Sequence, residues 1–83
     1  MSDEIKNIDI ISRFLSSELD CIDLGEHEDL FLAGIESIQI IRLVSFLENK
    51  FGIEIPPSKM NYDNFHTISS ISKTIKSIVS DHE

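Results

Sequence analysis

Ser37 stands at the mouth of an amphipathic run, directly after Gly34-Ile35-Glu36, and its hydroxyl is the most informative reactive group in the chain. A serine becomes a nucleophile when a base, a metal or a lowered pKa activates it. No obvious general base stands beside Ser37. It therefore reads as a group for another enzyme to modify, or as a plain helix cap, a role serine often fills. Other candidates are weaker. Cys21, His27 and His66 lack the spacing of a zinc site. The loop from Asp20 has Gly25 in its sixth place, as a calcium loop would. However, Ile22 and Phe31 fill its third and twelfth places, where oxygen ligands are needed. Cys21 reads as a loop or half-buried thiol, and His27, His66 and His82 as surface residues. No hydrolase, kinase or dinucleotide pattern is present.

The elements that must hold Ser37 follow from apolar spacing. Helix I is predicted from about Asp3 to Leu19. Ile5, Ile8, Ile11, Leu15 and Leu19 form one face, Phe14 widens it, and Ser2 or Asp3 sits where the cap belongs. Asp20 to Glu36 lacks sustained periodicity and contains Gly25 and Gly34. It reads as a long loop pinned to the core by Leu24, Leu30, Phe31 and Ile35. Helix II is predicted from Ser37 to Phe51. Its stripe is Ile38, Ile41, Val44, Leu47 and Phe51, with Ile40, Leu43 and Phe46 beside it. So broad an arc contacts several helices or leaves apolar surface for a partner.

Gly52 fits the position past the helix end, and Pro56-Pro57 forbids continuation. Ser58 to Asn64 has room for one short helical turn. Thr67 then caps a last helix whose Ile68, Ile71, Ile75 and Ile78 share a face. The serines of that helix are mediocre helix formers, so docking of the isoleucines must stabilise it. The expected fold is all-α: a small antiparallel four-helix bundle of three main helices and one short one, with a long first loop.

Composition narrows the function. The 83 residues carry 7 basic against 15 acidic side chains, a formal net charge of −8. That balance disfavours nucleic acid and anionic membrane surfaces, and favours basic partner surfaces. Hydrophobic residues make up 41%, enough for a core. A single cysteine excludes an internal disulfide, and no apolar run is long enough to span a bilayer. The reading is one domain, 1–83, acting as a cytoplasmic monomer.

Asp29 to Ile38, DLFLAGIESI, resembles the attachment site of the acyl carrier protein family, where a Gly-x-Asp-Ser-Leu pattern holds the modified serine. The same positions here read Gly34, Ile35, Glu36, Ser37 and Ile38. The resemblance continues through Leu47-Glu48-Asn49-Lys50-Phe51-Gly52-Ile53-Glu54-Ile55-Pro56, similar to the family's LEExFxIEIP-like segment. It then reaches Asn64-Phe65-x-Thr67-Ile68-x-x-Ile71. The ordered set covers roughly two thirds of the chain. Glu36 replaces the usual Asp and Ile38 the usual Leu, the latter conserving volume.

The resemblance implies a carrier and not an enzyme, and the start at Met1 with short polar ends suggests a free-standing one. Ser37 would anchor a 4'-phosphopantetheine arm donated by coenzyme A through a phosphopantetheinyl transferase. An acyl- or aminoacyl-loading ligase or synthetase would charge the arm's thiol as a thioester, for use by downstream synthase or transferase enzymes. The start of a helix suits the resulting phosphodiester anion. Glu36, Ile38, Gln39, Arg42 and Leu43 are the expected partner contacts, although Ile40, Leu43 and Phe46 fit a core equally well. The exposed surface of helix II carries Gln39, Arg42, Asn49 and Lys50, with Glu48 its remaining acid. Fatty-acid-synthesis carriers are richly acidic there. A dedicated pathway of polyketide, nonribosomal peptide or aminoacyl type is therefore the better expectation. An acidic helical adaptor, or a degenerate carrier, would share the bundle and differ only in leaving Ser37 unmodified.

Overall fold

The computed structural model describes residues 3–18 and 24–81, with side chains described for 6–18 and 24–80. Four α-helices and one 3-10 turn make up the regular structure of these residues: α1 (Asp3–Glu18), α2 (Ser37–Phe51), the 3-10 turn (Pro57–Lys59), α3 (Tyr62–Phe65) and α4 (Ile68–Asp81). The all-α bundle is the one the periodicity predicts. Helix I is described from Asp3 to Glu18. The expected cap at Ser2, Leu19 and the Asp20 to Asp23 stretch lie outside the described residues, as do the side chains of Asp3 and Ile5.

The core is built where the isoleucine spacing is cleanest. Ile68, Ile71, Ile75 and Ile78 of α4 are all buried, and they meet Ile11 and Leu15 of α1 and Leu43 and Leu47 of α2. α1 packs chiefly on α4, and to a lesser extent on α2. The cap is as expected: Thr67 Oγ1 accepts from the Ser70 N–H at 3.0 Å, satisfying one free donor of the first turn. Ile8 and Phe14 pack at the edge of the core, and Phe14 stacks on Phe46 of α2 at 4.6 Å between ring centres. Ser58 to Asn64 holds two short elements instead of one turn. Pro57 sits at the start of the 3-10 turn, and Asn61 caps α3 by accepting from Asn64 N–H at 2.9 Å.

α2 runs over the predicted span, but its phase is turned. The buried positions are Ile40, Leu43, Val44 and Leu47, whereas Ile38 and Ile41 face outward at 52% and 56% exposure. Eight apolar residues in fifteen allow more than one phase, and the contacts with α1 and the loop select Ile40 and Leu43 for the inside. Past α2, Gly52 takes the left-handed conformation at φ 63°, and Ile53 N–H donates to the Glu48 carbonyl at 3.1 Å. The Glu48 carboxylate also accepts from Ile55 N–H at 2.8 Å, which fixes the extended strand-like exit ahead of the prolines.

Candidate functional site

The loop ahead of α2 is closed by its own hydrogen bonds. Asp29 Oδ1 accepts from the N–H groups of Phe31 and Leu32 at 2.9 and 3.1 Å. Ala33 N–H donates back to the Asp29 carbonyl at 3.1 Å, Gly34 N–H to the Phe31 carbonyl at 3.2 Å, and Ile35 N–H to the Leu30 carbonyl at 3.0 Å. Gly34 sits at φ 106°, a conformation a side chain would strain, and it turns the chain into α2. Leu30 and Ile35 are buried and Leu24 is partly so, as the loop reading requires. Phe31 departs from that reading. It lies outside the core and stacks on Tyr62.

Tyr62 is the residue the sequence reading missed. Its hydroxyl donates to Asp29 Oδ2, and its ring lies between Phe31 and His66, with centroids 5.8 and 4.8 Å away. The Tyr62 hydrogen bond is the main cause holding the Asp29 carboxyl below its ordinary value of 3.8. The same bond raises the Tyr62 phenol above 10.0. Leu30 N–H donates to the His66 carbonyl at 2.7 Å and Ser69 N–H to the Glu26 carbonyl at 2.9 Å, so the loop is tied to the α3–α4 corner at three places. The only sequence signal for this clip was a tyrosine in a short polar segment, 33 positions from its partner.

Ser37 emerges from that frame as the first residue of α2, exposed, with no hydrogen bond to its side chain among the described residues. The cap is Glu36, one residue earlier. Its carbonyl accepts from Gln39 and Ile40 N–H at 3.0 and 3.2 Å, and its own N–H donates to Gln39 Oε1 at 2.8 Å. Ser37 is therefore not needed as a cap, and its hydroxyl is available. The first turn carries no acidic side chain, and the helix presents its positive end there. An anion bonded to Ser37 Oγ would sit exposed at the positive end of α2, with the Glu36 carboxylate one residue before it.

The residues expected around the serine fall into three groups. Glu36 and Ile38 are exposed beside it. Gln39 and Arg42 are accessible but engaged, Gln39 in the cap and Arg42 with Glu18 at 3.3 Å. Leu43 is 0% exposed, a correction to its expected partner role: it points into the core between α1 and α4, where the turned phase of α2 places it. One turn along from Ser37, Ile40 lines a groove of about 260 Å³ with Phe31, Met60, Asn61, Tyr62 and Phe65. His27 pairs with Glu26 at 3.3 Å on the surface. No group of three His, Cys, Asp or Glu among the described residues is placed to hold a metal. Cys21 and His82 lie outside them.

Comparison with known proteins agrees with this geometry. The family described as a phosphopantetheine attachment site matches residues 8–75. An aminoacyl carrier protein of Agrobacterium fabrum is 28% identical over 75 residues, 90% of each chain. A D-alanyl carrier protein of Streptococcus uberis is 32% identical over 79 residues, 94% of this chain and 96% of the relative. Among solved structures, a Bradyrhizobium japonicum glycine:[carrier protein] ligase complexed with its cognate carrier protein and a glycyl adenylate analogue contains a similar chain. The TM-score is 0.75 at 18% identity, covering 92% of this chain and 99% of that one. The same ligase with glycylated carrier protein gives 0.73 at 19%, covering 88% and 99%. These structures share the helical bundle.

Proposed function

The chain belongs to the phosphopantetheine-dependent carrier proteins, non-catalytic shuttles whose prosthetic group is 4'-phosphopantetheine, and from that premise we propose that Ser37 is its anchor. The observation that carries the proposal is the Ser37 hydroxyl: exposed, not engaged in capping, and at the positive end of α2 within the matched region. In the attachment step Ser37 Oγ forms a bond to the proximal phosphorus of coenzyme A. The pyrophosphate bond from that phosphorus breaks, 3',5'-adenosine bisphosphate leaves with the bridging oxygen and its electron pair, and the serine proton passes to a base of the phosphopantetheinyl transferase. Ser37 has no base of its own, so the transferase must supply one. Once attached, the arm supplies a terminal thiol that holds cargo as a thioester. The bundle's part is to keep the serine at a fixed helix start and to keep the loop that precedes it closed.

The cargo we propose is aminoacyl, loaded by an adenylate-forming ligase and passed to a downstream transferase or synthase. The names of two relatives and the ligase complexes of the similar structures support this class over fatty acyl or polyketide cargo. Residues 1–83 act as one carrier domain, a monomer in the cytoplasm. None of the helices in the described residues is long and apolar enough to cross a membrane. Glu36, Ile38, Gln39 and Arg42 stand where enzymes approaching the serine would meet them. The adaptor reading is not favoured, because the matched family and both relatives are carriers.

Digestion after incubation with coenzyme A and a broad-specificity transferase tests the anchor. The arm should map to the peptide containing Ser37. An arm mapped to any other serine would overturn the assignment.

A further inference from the structure

At the end of the bundle away from Ser37, residues of α1, α2 and α4 line a cavity of about 550 Å³, within the range of small-ligand sites. Phe51 closes α2 where Ser37 opens it, about 21 Å away along the helix axis. Ile10, Phe51 and Val79 give the cavity an apolar wall, partly buried against the core. Lys6, Lys50 and Lys76 line it too, three of the chain's 7 basic residues, and no acidic side chain joins them. Arg13 pairs with Asp9 and Arg42 with Glu18, whereas these three lysines have no ion pair among the described residues. Helix ends do not account for the cluster. A cation is favoured near a helix C-terminus, which suits Lys50. Lys6, however, lies in the first turn of α1, at its positive end, and the last turn of α4 carries no basic residue.

Asn7 adds an independent observation. It lines the cavity, is 6% exposed, and its side chain has no hydrogen bond among the described residues. No described polar side-chain atom is sealed from solvent without a partner. The Asn7 amide therefore opens into the cavity, a donor and an acceptor largely buried and left for a polar group to satisfy.

We propose that this cavity binds a free anionic amphiphile, a small molecule with one phosphate or carboxylate head and a short alkyl body. The lysines attract the head, the Asn7 amide donates to one of its oxygens, and Ile10, Phe51 and Val79 cover the alkyl body. A head without a body leaves the apolar wall wet, and a body without a head leaves three like charges uncompensated. The formal net charge of −8 opposes approach to an anionic bilayer, so the ligand is a dissolved molecule and not a membrane lipid. The site does not depend on the reading of Ser37.

The experiment is a heteronuclear NMR titration of the full chain with octyl phosphate below its micelle concentration, beside octanol and inorganic phosphate. Octyl phosphate should move the backbone signals of Lys6, Lys50 and Lys76 and the side-chain amide of Asn7 to saturation, with a Kd below about 1 mM. Octanol and inorganic phosphate should each bind about tenfold more weakly or worse. Lys6→Gln, Lys50→Gln and Lys76→Gln combined alter exposed side chains, so that variant should melt like the parent chain and bind octyl phosphate about tenfold more weakly. Equal affinity for octanol would leave only an apolar hollow, and equal affinity for inorganic phosphate only a basic surface; either would overturn the proposal. So would an unchanged Kd in the triple variant, shifts that map to the groove around Tyr62, or no saturable shift at all. Signals at these residues that move with protein concentration alone would place a second copy in the cavity and overturn it as well.

Discussion

α2 and α4 are both supplied with isoleucine, and they use it in opposite ways. α4 buries Ile68, Ile71, Ile75 and Ile78 to 5% exposure or less. α2 buries Ile40 and leaves Ile38 and Ile41 more than half exposed. The chain has fifteen isoleucines, β-branched residues that gain little from a helix as such, so position alone decides what each one does. In α4 they hold a serine-rich helix against the bundle. In α2 two of them stand on the outer face near Ser37, while Ile40, Leu43, Val44 and Leu47 take the inner face. The contrast separates a helix that makes the fold from a helix that shows a surface.

The comparison is sharpest under substitution. Ile75→Ala should destabilise the bundle by about 2–5 kcal/mol in chemical denaturation, through lost burial and a cavity. For a chain of 83 residues that is a large share of the total stability. Thr67→Ala should cost less, about 1 kcal/mol, by freeing the Ser70 N–H at the start of α4. At the small end, Ile41→Ala should change stability by no more than about 0.5 kcal/mol in the same denaturation series. If Ile41→Ala cost as much as Ile75→Ala, the division between the two helices would collapse.

The clip that holds the loop should show itself in pH. Asp29 is held below its ordinary value, so its contribution is present above about pH 4 and is lost as pH falls through the lowered value. Tyr62 is raised above its ordinary value, so its contribution is full below pH 10.0 and is lost only as pH climbs past the raised value. Between these limits the clip is intact. Asp29→Asn or Tyr62→Phe should lower the melting temperature at neutral pH, and for Asp29→Asn the gap from the parent chain should narrow in acid. A gap that stays constant from neutral to strongly acidic pH would remove Asp29 from the account.

Much of this was legible in the residues because the strongest signals are local. Thr67 followed by isoleucines at three- and four-residue steps specifies both the cap and the buried face of α4. Gly34 before Ser37 and Gly52 after Phe51 bracket α2 at the limits the structure shows. The phase of α2 was not legible, because its apolar arc is wide enough to serve two orientations, and packing against other elements chose between them. That is why Leu43 turned out to be core and not surface. Serine is a preferred cap, and only the hydrogen bonds assign the role to Glu36 and free Ser37. The Asp29–Tyr62 contact and the outward turn of Phe31 depend on residues far apart in the chain, which no local pattern relates.

The most direct test of the account is the intact mass of the folded chain after incubation with coenzyme A and a broad-specificity phosphopantetheinyl transferase, beside Ser37→Ala. The account predicts the gain of one phosphopantetheinyl group in the parent chain and none in the variant. An unchanged parent mass with several transferases, or an equal gain in Ser37→Ala, would contradict it.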